Sequence, residues 1–345
     1  MSYTITVLPS NHKFTVEDGE NLLQGALRNG LPFPYGCRDG ACGTCKGKVI
    51  SGRIDRGQFS SRALAAAEID NGMALFCQCQ VHSDLVVEVK EVGAIAGVPI
   101  RRMPAKVESI SRANHDVMWV KLRLPANQRL QFLAGQYIDF LLKNGERRSY
   151  SIANSPHDDE FIELHIRKIN AGTFSDYVFN ELQEKAILRI EGPHGSFFLR
   201  ADSPRPMIMM AGGTGFAPVK SLLEEAFYRG IERPVYFYWG VRNRRDFYSD
   251  LPVHWAQTHS NVHFIPVLSD PLPEDHWEGR IGLVHEAILE DFQDLSNYDV
   301  YACGSPAMVY AGRDAFITQG LVEENCFSDA FEFQHPVTAK EEDKA

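Results

Sequence analysis

The segment Cys37-Arg38-Asp39-Gly40-Ala41-Cys42-Gly43-Thr44-Cys45 sets three thiols in the spacing C-x4-C-x2-C, and Cys77 and Cys79 follow downstream. Five of the seven cysteines fall within 43 positions, while Cys303 and Cys326 stand alone. In a reducing compartment such clustering indicates a metal site rather than disulfides. Zinc sites favour paired C-x2-C units separated by a spacer, a different pattern from this one. A two-iron, two-sulfide cluster instead needs four thiolates and a loop that wraps closely around it. Gly36, Gly40 and Gly43 suit that wrapping, because a backbone without Cβ atoms can bring its N–H groups up to the sulfurs. Periodicity leaves the fourth ligand open, since residues 77 and 79 would project to the same side of a strand.

Around this loop, alternating character at 4–8 and 14–17 predicts two short strands, 21–28 carries an apolar helical face, and 85–89 reads as a closing strand. Residues 1–92 therefore read as a small α+β unit. The cysteine loop resembles the plant-type [2Fe-2S] ferredoxin signature, and the likeness runs through residues 1–92, including Leu75-Phe76-Cys77-Gln78. It implies a β-grasp ferredoxin domain with Cys37, Cys42, Cys45 and Cys77 as iron ligands. Cys79 is then a small buried bystander.

The chain must hold further cores, because 345 residues exceed the usual ~100–200 per domain. Hydrophobic residues at 44% and charged residues at 23% match globular proteins and argue against a disordered or membrane-spanning chain. A net charge of −10 and the lack of a long basic run argue against nucleic acid as a partner. Residues 101–200 nevertheless hold fifteen Lys and Arg against twelve Asp and Glu, a basic middle in an acidic chain. The first seven residues alternate like a strand and lack a basic or apolar leader, so a cytoplasmic location is expected.

Residues 92–99 are small, uncharged and end in Pro, which places a linker at 93–100. Beyond it, short alternating segments at 117–124, 137–142 and 162–166, separated by Gly, Pro and Asn, predict an antiparallel β-barrel over 101–203. Arg148-Ser149-Tyr150-Ser151 ends a strand-like segment, Arg167 ends another, and Gly172-Thr173-Phe174-Ser175 reads as a helix start with hydroxyl caps. A guanidinium and helix-start N–H groups suit a pyrophosphate, while Tyr150 and Ser151 offer a flavin ring a flat wall and a donor. These residues resemble the ferredoxin-NADP reductase family of flavoproteins. Its R-x-Y-S motif is matched at Arg148, Tyr150 and Ser151, and its phosphate loop at Gly172, Thr173 and Ser175. Bound FAD is what the resemblance implies, with Arg167 among the residues that hold it.

From residue 204 to 338 strands and helices alternate, the mark of a doubly wound parallel α/β sheet. The last seven residues, 339–345, are mostly charged and are expected to fray. A buried strand at 207–211 runs into Gly212-Gly213-Thr214-Gly215 and then a helix, the context that a dinucleotide-binding glycine motif requires. Pro218 stands in the third-glycine place, where a first helical turn tolerates it. In the resembled family G-G-T-G-x-A-P is usual, and a pair like Cys303-Gly304 borders the nicotinamide, which implies a packing and orienting role for Cys303. Arg242, Arg244 and Arg245 follow the second strand, either to pair with a 2′-phosphate or to remain solvated. The family leans towards NADH, with NADPH as the alternative. Residues 327–333 read as a closing strand, and the family implies that Phe331 or Phe333, with a neighbouring acid, sits beside the flavin.

Ferredoxin domain, FAD barrel and NAD domain in this order make a multidomain chain of all-β and α/β parts. It resembles the reductase components of bacterial multicomponent oxygenases and, more closely, reductases of the CDP-6-deoxy-3,4-glucoseen type, which serve a deoxysugar dehydratase. The resemblance implies an NAD(P)H-dependent oxidoreductase. A hydride would pass from nicotinamide to FAD past Ser151, Cys303 and Phe331, and single electrons would leave through the [2Fe-2S] cluster. A flavin able to hold one or two electrons must stand between a hydride donor and a one-electron cluster. The acceptor would be a separate protein, a dehydratase or an oxygenase component, and the chain a monomer. A free-flavin or small-acceptor reductase is the competing reading, in which an iron–sulfur domain would be needless.

Overall fold

The computed structural model describes residues 2–170 and 172–331; the tail at 339–345 and Phe333 lie outside the described residues. The first seven strands are β1 (Tyr3–Leu8), β2 (Lys13–Val16), β3 (Lys46–Ser51), β4 (Ile54–Asp55), β5 (Met73–Leu75), β6 (Gln80–Val81) and β7 (Leu85–Glu88). Five of them form one sheet in the order β2-β1-β7-β3-β5, with β1 parallel to β7 and the other neighbours antiparallel. Helix α1 (Leu22–Arg28) starts at a capping box, in which Asn21 and Gln24 exchange backbone-to-side-chain hydrogen bonds of 2.8 and 2.9 Å. Its Leu22, Leu23 and Ala26 share a core with Ile5, Val7 and Phe14. This is the β-grasp arrangement, a helix held against a mixed sheet. Helix α2 (Ala66–Asp70) and the small pair β4–β6 flank it.

The next six strands are β8 (Arg101–Arg112), β9 (Val117–Arg123), β10 (Tyr137–Leu141), β11 (Arg147–Ser151), β12 (Ile162–Arg167) and β13 (Ile187–His194). Their order is β11-β10-β13-β8-β9-β12, antiparallel throughout. A bridge between Ile152 and Leu164 joins the two ends, so the sheet closes into a barrel. Ile138 and Phe140 of β10 point into the barrel core with Val120, Leu164 and Ile190. Period two sends Tyr137 and Asp139 to the opposite face, where they meet the first domain. Helix α3 (Thr173–Asn180) follows β12.

The last sheet comprises β14 (Met207–Gly212), β15 (Val235–Val241), β16 (Val262–Leu268), β17 (Arg280–Ile281), β18 (Asp299–Gly304) and β19 (Cys326–Ala330). All neighbours are parallel, in the order β17-β16-β15-β14-β18-β19. Helices α4 (Phe216–Tyr228), α5 (Leu251–Thr258), α6 (Val284–Asp291) and α7 (Pro306–Thr318) complete the layers. Alternate residues of β14 enter different cores: Met207 and Met209 pack with Leu222 and Phe237, whereas Ile208 and Met210 pack with Ile288 and Val309. A strand buried on both faces reads as a continuous apolar run, which is why 207–211 carries no polar residue. The strand order reverses between β14 and β18, and in such sheets ligands bind at that reversal, outside the carboxyl ends of the strands.

The three domains touch one another. Ser196 of the barrel donates its backbone N–H to Tyr35 O at 2.9 Å, and Ser221 of α4 donates its hydroxyl to Asn154 O at 2.7 Å. From α7, Tyr310 donates its hydroxyl to Ala41 O at 2.9 Å. Among the described residues no helix is long and apolar enough to cross a membrane.

Candidate functional site

The cysteine loop brings its thiols together in pairs. Cys37 N–H points at Cys42 Sγ (3.4 Å) and Cys42 N–H at Cys37 Sγ (3.3 Å), while Cys77 lies beside Cys45. Within each pair the neighbouring thiol pushes one partner up, Cys37 or Cys45, and brings the other down, Cys42 or Cys77. The glycines are needed as such. A Cβ on Gly40, whose φ is +83°, would stand 2.7 Å from Gln58 O, and one on Gly36 would press on Cys42 Sγ at 3.3 Å. Two close pairs of thiols, three from one tight loop and Cys77 from the turn after β5, with N–H groups aimed at sulfur, make a donor set of the kind a two-iron cluster takes.

Cys77 and Cys79 do not share a strand face. Beyond β5 the chain turns, with Gln78 N–H and Cys79 N–H both bonded to Leu75 O at 2.9 and 3.2 Å. The turn separates the two side chains: Cys77 joins Cys45, whereas Cys79 is fully buried and burial pushes its thiol up to about 12. The strand geometry assumed in reading the sequence therefore does not apply here.

Next to the loop lies a cavity of about 1000 Å³ that all three domains line. Gly36, Cys37 and Asp39 reach it from the first domain, and Arg148, Tyr150, Ser151, Arg167, Gly172 and Thr173 from the barrel. Tyr150 rests against Phe140 and Phe174, with ring centroids 5.8 Å away in each case, so its ring is held in a fixed plane. The Arg148 guanidinium donates to Glu146 at 2.6 Å and to Arg147 O at 2.9 Å. Ser175 is placed differently from its expected role. Its hydroxyl accepts from Ile169 N–H (3.1 Å) and donates to Gly172 O (2.9 Å), so it braces the loop from inside, and α3 starts without a side-chain cap.

The parallel sheet contributes Gly212, Gly213, Thr214 and Arg242 to the same cavity. The glycine turn packs backbone on backbone against the end of β18, where a Cβ on Gly215 would lie 2.2 Å from Cys303 O. Cys303 is wholly buried, and its Sγ meets Gly215 O at 3.0 Å. Cys303, Gly215 and Gly304 thus shape the cavity from behind, while Ser305 and Met308 at the start of α7 line it. The starts of α3 and α7 both border this space, and helix N-termini suit the phosphates of FAD and of a dinucleotide. Arg244 and Arg245 are engaged elsewhere, by Asp275 and Asn243.

The end of the sheet completes the site. β19 runs to Ala330, and Phe331 follows with its N–H bonded to Gly304 O at 2.8 Å; residues 332 and 333 of the strand expected over 327–333 lie outside the described residues. Parallel register sets Asp329 beside Cys303, and the Ser151 hydroxyl donates to Asp329 Oδ2 at 3.3 Å across the domain boundary. Burial, then the charge of Cys42, push Asp329 up to about 7, against the pull of the Ser151 hydrogen bond. Sequence reasoning foresaw only an unspecified acid near Phe331. It missed Asp329, Met308 and Tyr137, whose positions follow from register and domain contact rather than from any local motif.

Three family models match: a 2Fe-2S iron-sulfur cluster binding domain over residues 5–82, an oxidoreductase FAD-binding domain over 104–199 and an oxidoreductase NAD-binding domain over 209–314. The chain is 43% identical over 331 residues to the CDP-6-deoxy-L-threo-D-glycero-4-hexulose-3-dehydrase reductase of Yersinia pseudotuberculosis, covering 96% of this chain and 99% of that one. It is 35% identical over 334 residues to reductase component 1 of the terephthalate 1,2-dioxygenase of a Comamonas species, covering 96% and 98%. Among solved structures, the Amycolatopsis cytochrome P450 reductase matches with a TM-score of 0.80 and 32% identity, over 95% of this chain and 98% of that one.

Proposed function

Because the chain belongs to the family of iron–sulfur flavoprotein reductases that join a 2Fe-2S domain, an FAD barrel and an NAD domain, we propose that it carries electrons from NADH to a separate acceptor protein. The observation that carries this reading is the single cavity lined by residues of all three domains, with Cys37 on its wall. When bound, FAD would supply the conversion between the two-electron hydride of NADH and the single electrons that a [2Fe-2S] cluster can take.

The chain's own residues divide the work. Cys37, Cys42, Cys45 and Cys77 hold the iron. Arg148, Arg167 and the Gly172–Thr173 helix start bind the FAD pyrophosphate, and Tyr150 walls the flavin ring. Ser151 presents a hydroxyl near the reacting edge, with Asp329 as its acceptor. The turn Gly212–Gly215 admits the nicotinamide dinucleotide, Arg242 stands on the adenosine side, and Cys303 with Gly304 supports the turn from below. Phe331 closes the cavity at the end of the last strand.

The acceptor we assign is a sugar-nucleotide dehydratase, supported by 43% identity to the Yersinia dehydrase reductase against 35% to the dioxygenase reductase. On this reading the protein works in the cytoplasm as a monomer. The test is reconstitution: purified protein with NADH should support turnover of a CDP-hexulose dehydrase and leave a terephthalate-type oxygenase unsupported. Turnover with the oxygenase alone would reverse the assignment.

A further inference from the structure

Asp139 sits in the middle of β10 with its side chain fully buried, where a lone carboxylate would be costly. It is neutralised from both domains. Arg38, the residue after Cys37, donates to Asp139 Oδ2 at 2.6 Å, and from the barrel Arg147 approaches the same oxygen at 3.2 Å while Ser149 donates to Oδ1 at 2.7 Å. Glu191 pairs with Arg147 and Arg102. His194 Nε2 lies 3.5 Å from both Asp139 and Glu191, and Tyr35 approaches its other ring nitrogen at 3.4 Å.

Two features distinguish this cluster from an incidental surface pair. Arg38 has φ of +68°, a left-handed backbone that favours glycine, and that turn accompanies the contact of its side chain with the barrel. The cluster also joins two particular segments: Arg38 adjoins Cys37, Ser149 and Arg147 flank Arg148, and Tyr137 donates its hydroxyl to Gly36 O at 2.6 Å. Neither Arg38 nor Asp139 lines the cavity. The grouping of Asp139, Glu191 and His194 could suggest a cation site. Three guanidiniums, Arg38, Arg102 and Arg147, already face the two carboxylates, so a metal ion would meet excess positive charge.

We propose that the Arg38–Asp139 pair and the buried network behind it latch the iron-binding loop to the flavin barrel, and so fix the gap that electrons cross between flavin and cluster. Arg38 and Asp139 are positioning residues. The inference rests on the reading that the cluster is reduced through the flavin. One electron leaves the reduced flavin and one ferric iron becomes ferrous in each crossing, and cytochrome c reoxidises the cluster one electron at a time.

The test uses the full-length holoprotein with Arg38→Gln, Asp139→Asn and Arg38→Lys. Flavin and iron contents and NADH–ferricyanide activity should stay at the wild-type level in all three. Anaerobic stopped-flow reduction of the cluster by NADH and cytochrome c turnover should both fall at least about tenfold in the Gln and Asn variants, since ångström-scale misplacement of reacting groups costs rates of that order. Hydrogen exchange across residues 33–45 should quicken in the same two variants, while Arg38→Lys should restore most of the transfer rate. Wild-type transfer in both Arg38→Gln and Asp139→Asn overturns the latch, as does a loss of ferricyanide activity or cofactor in step with the loss of transfer. A wild-type cluster that NADH does not reduce would instead remove the reading beneath the proposal.

Discussion

At the scale of single residues, the thiols are where chemistry and sequence agree most closely. Cys37, Cys42 and Cys45 were legible because their spacing leaves a loop no freedom except to gather them. Cys77 against Cys79 was not, because the choice depends on a turn whose hydrogen bonds to Leu75 O have no signature in the two side chains. Ser175 misled for a similar reason: a hydroxyl three residues into a helix start resembles a cap, yet its actual partners are Ile169 and Gly172 in the preceding loop. The assignment predicts that Cys77→Ser abolishes the visible iron–sulfur absorption and that Cys79→Ser, a change at a fully buried site, leaves it in place. Loss of absorption in the Cys79 variant alone would transfer the ligand role.

At the scale of elements, the glycine turn after β14 was readable because strand, turn and helix follow in unbroken order. Strands β8 and β13 were not foreseen. β8 carries Arg101, Arg102, Ser109 and Ser111 and contains Pro104, and β13 contains Gly192-Pro193, residues that read locally as breaks in pairing. Closure of the barrel pairs them regardless. Because Gly215 abuts a backbone carbonyl that cannot move aside, Gly215→Ala should lower stability by about 1–3 kcal/mol, the usual cost of overpacking. It should also raise the KM for NADH while FAD content is unchanged, as thermal unfolding, steady-state kinetics and flavin absorbance will register. Glu163 of β12 provides a pH test of the seam between barrel and parallel sheet, where it meets Lys220 of α4 at 3.3 Å and His165 at 3.1 Å. Burial raises its carboxyl, but the His165 hydrogen bond and the charges of Lys220 and Lys121 outweigh this and hold it at about 2. A lowered folded pKa gives stability that is present above the ordinary 4.5 and is lost as pH falls towards about 2. Acid unfolding of Glu163→Gln, followed by fluorescence, should therefore be flatter across that window than wild type; superimposable curves would mean that the pair adds nothing.

At the scale of the whole molecule, the domain order was written in the sequence, but the contacts between domains were not. Arg38 and Asp139 are 101 positions apart, and no local pattern announces that they meet. The cores of the barrel and the parallel sheet draw on no residue before 103. Removal of residues 1–92 should therefore leave a folded unit that reduces ferricyanide with NADH but not cytochrome c, and undiminished cytochrome c turnover would take the cluster off the path. The hydroxyl of Tyr310 on Ala41 O spans 269 positions of chain. Pairings so distant carry the largest loop-closure entropy and are slow to form. A chain emerging from the ribosome must therefore wait for Tyr310 of helix α7, 269 positions beyond Ala41, before its iron-binding loop is held on both sides.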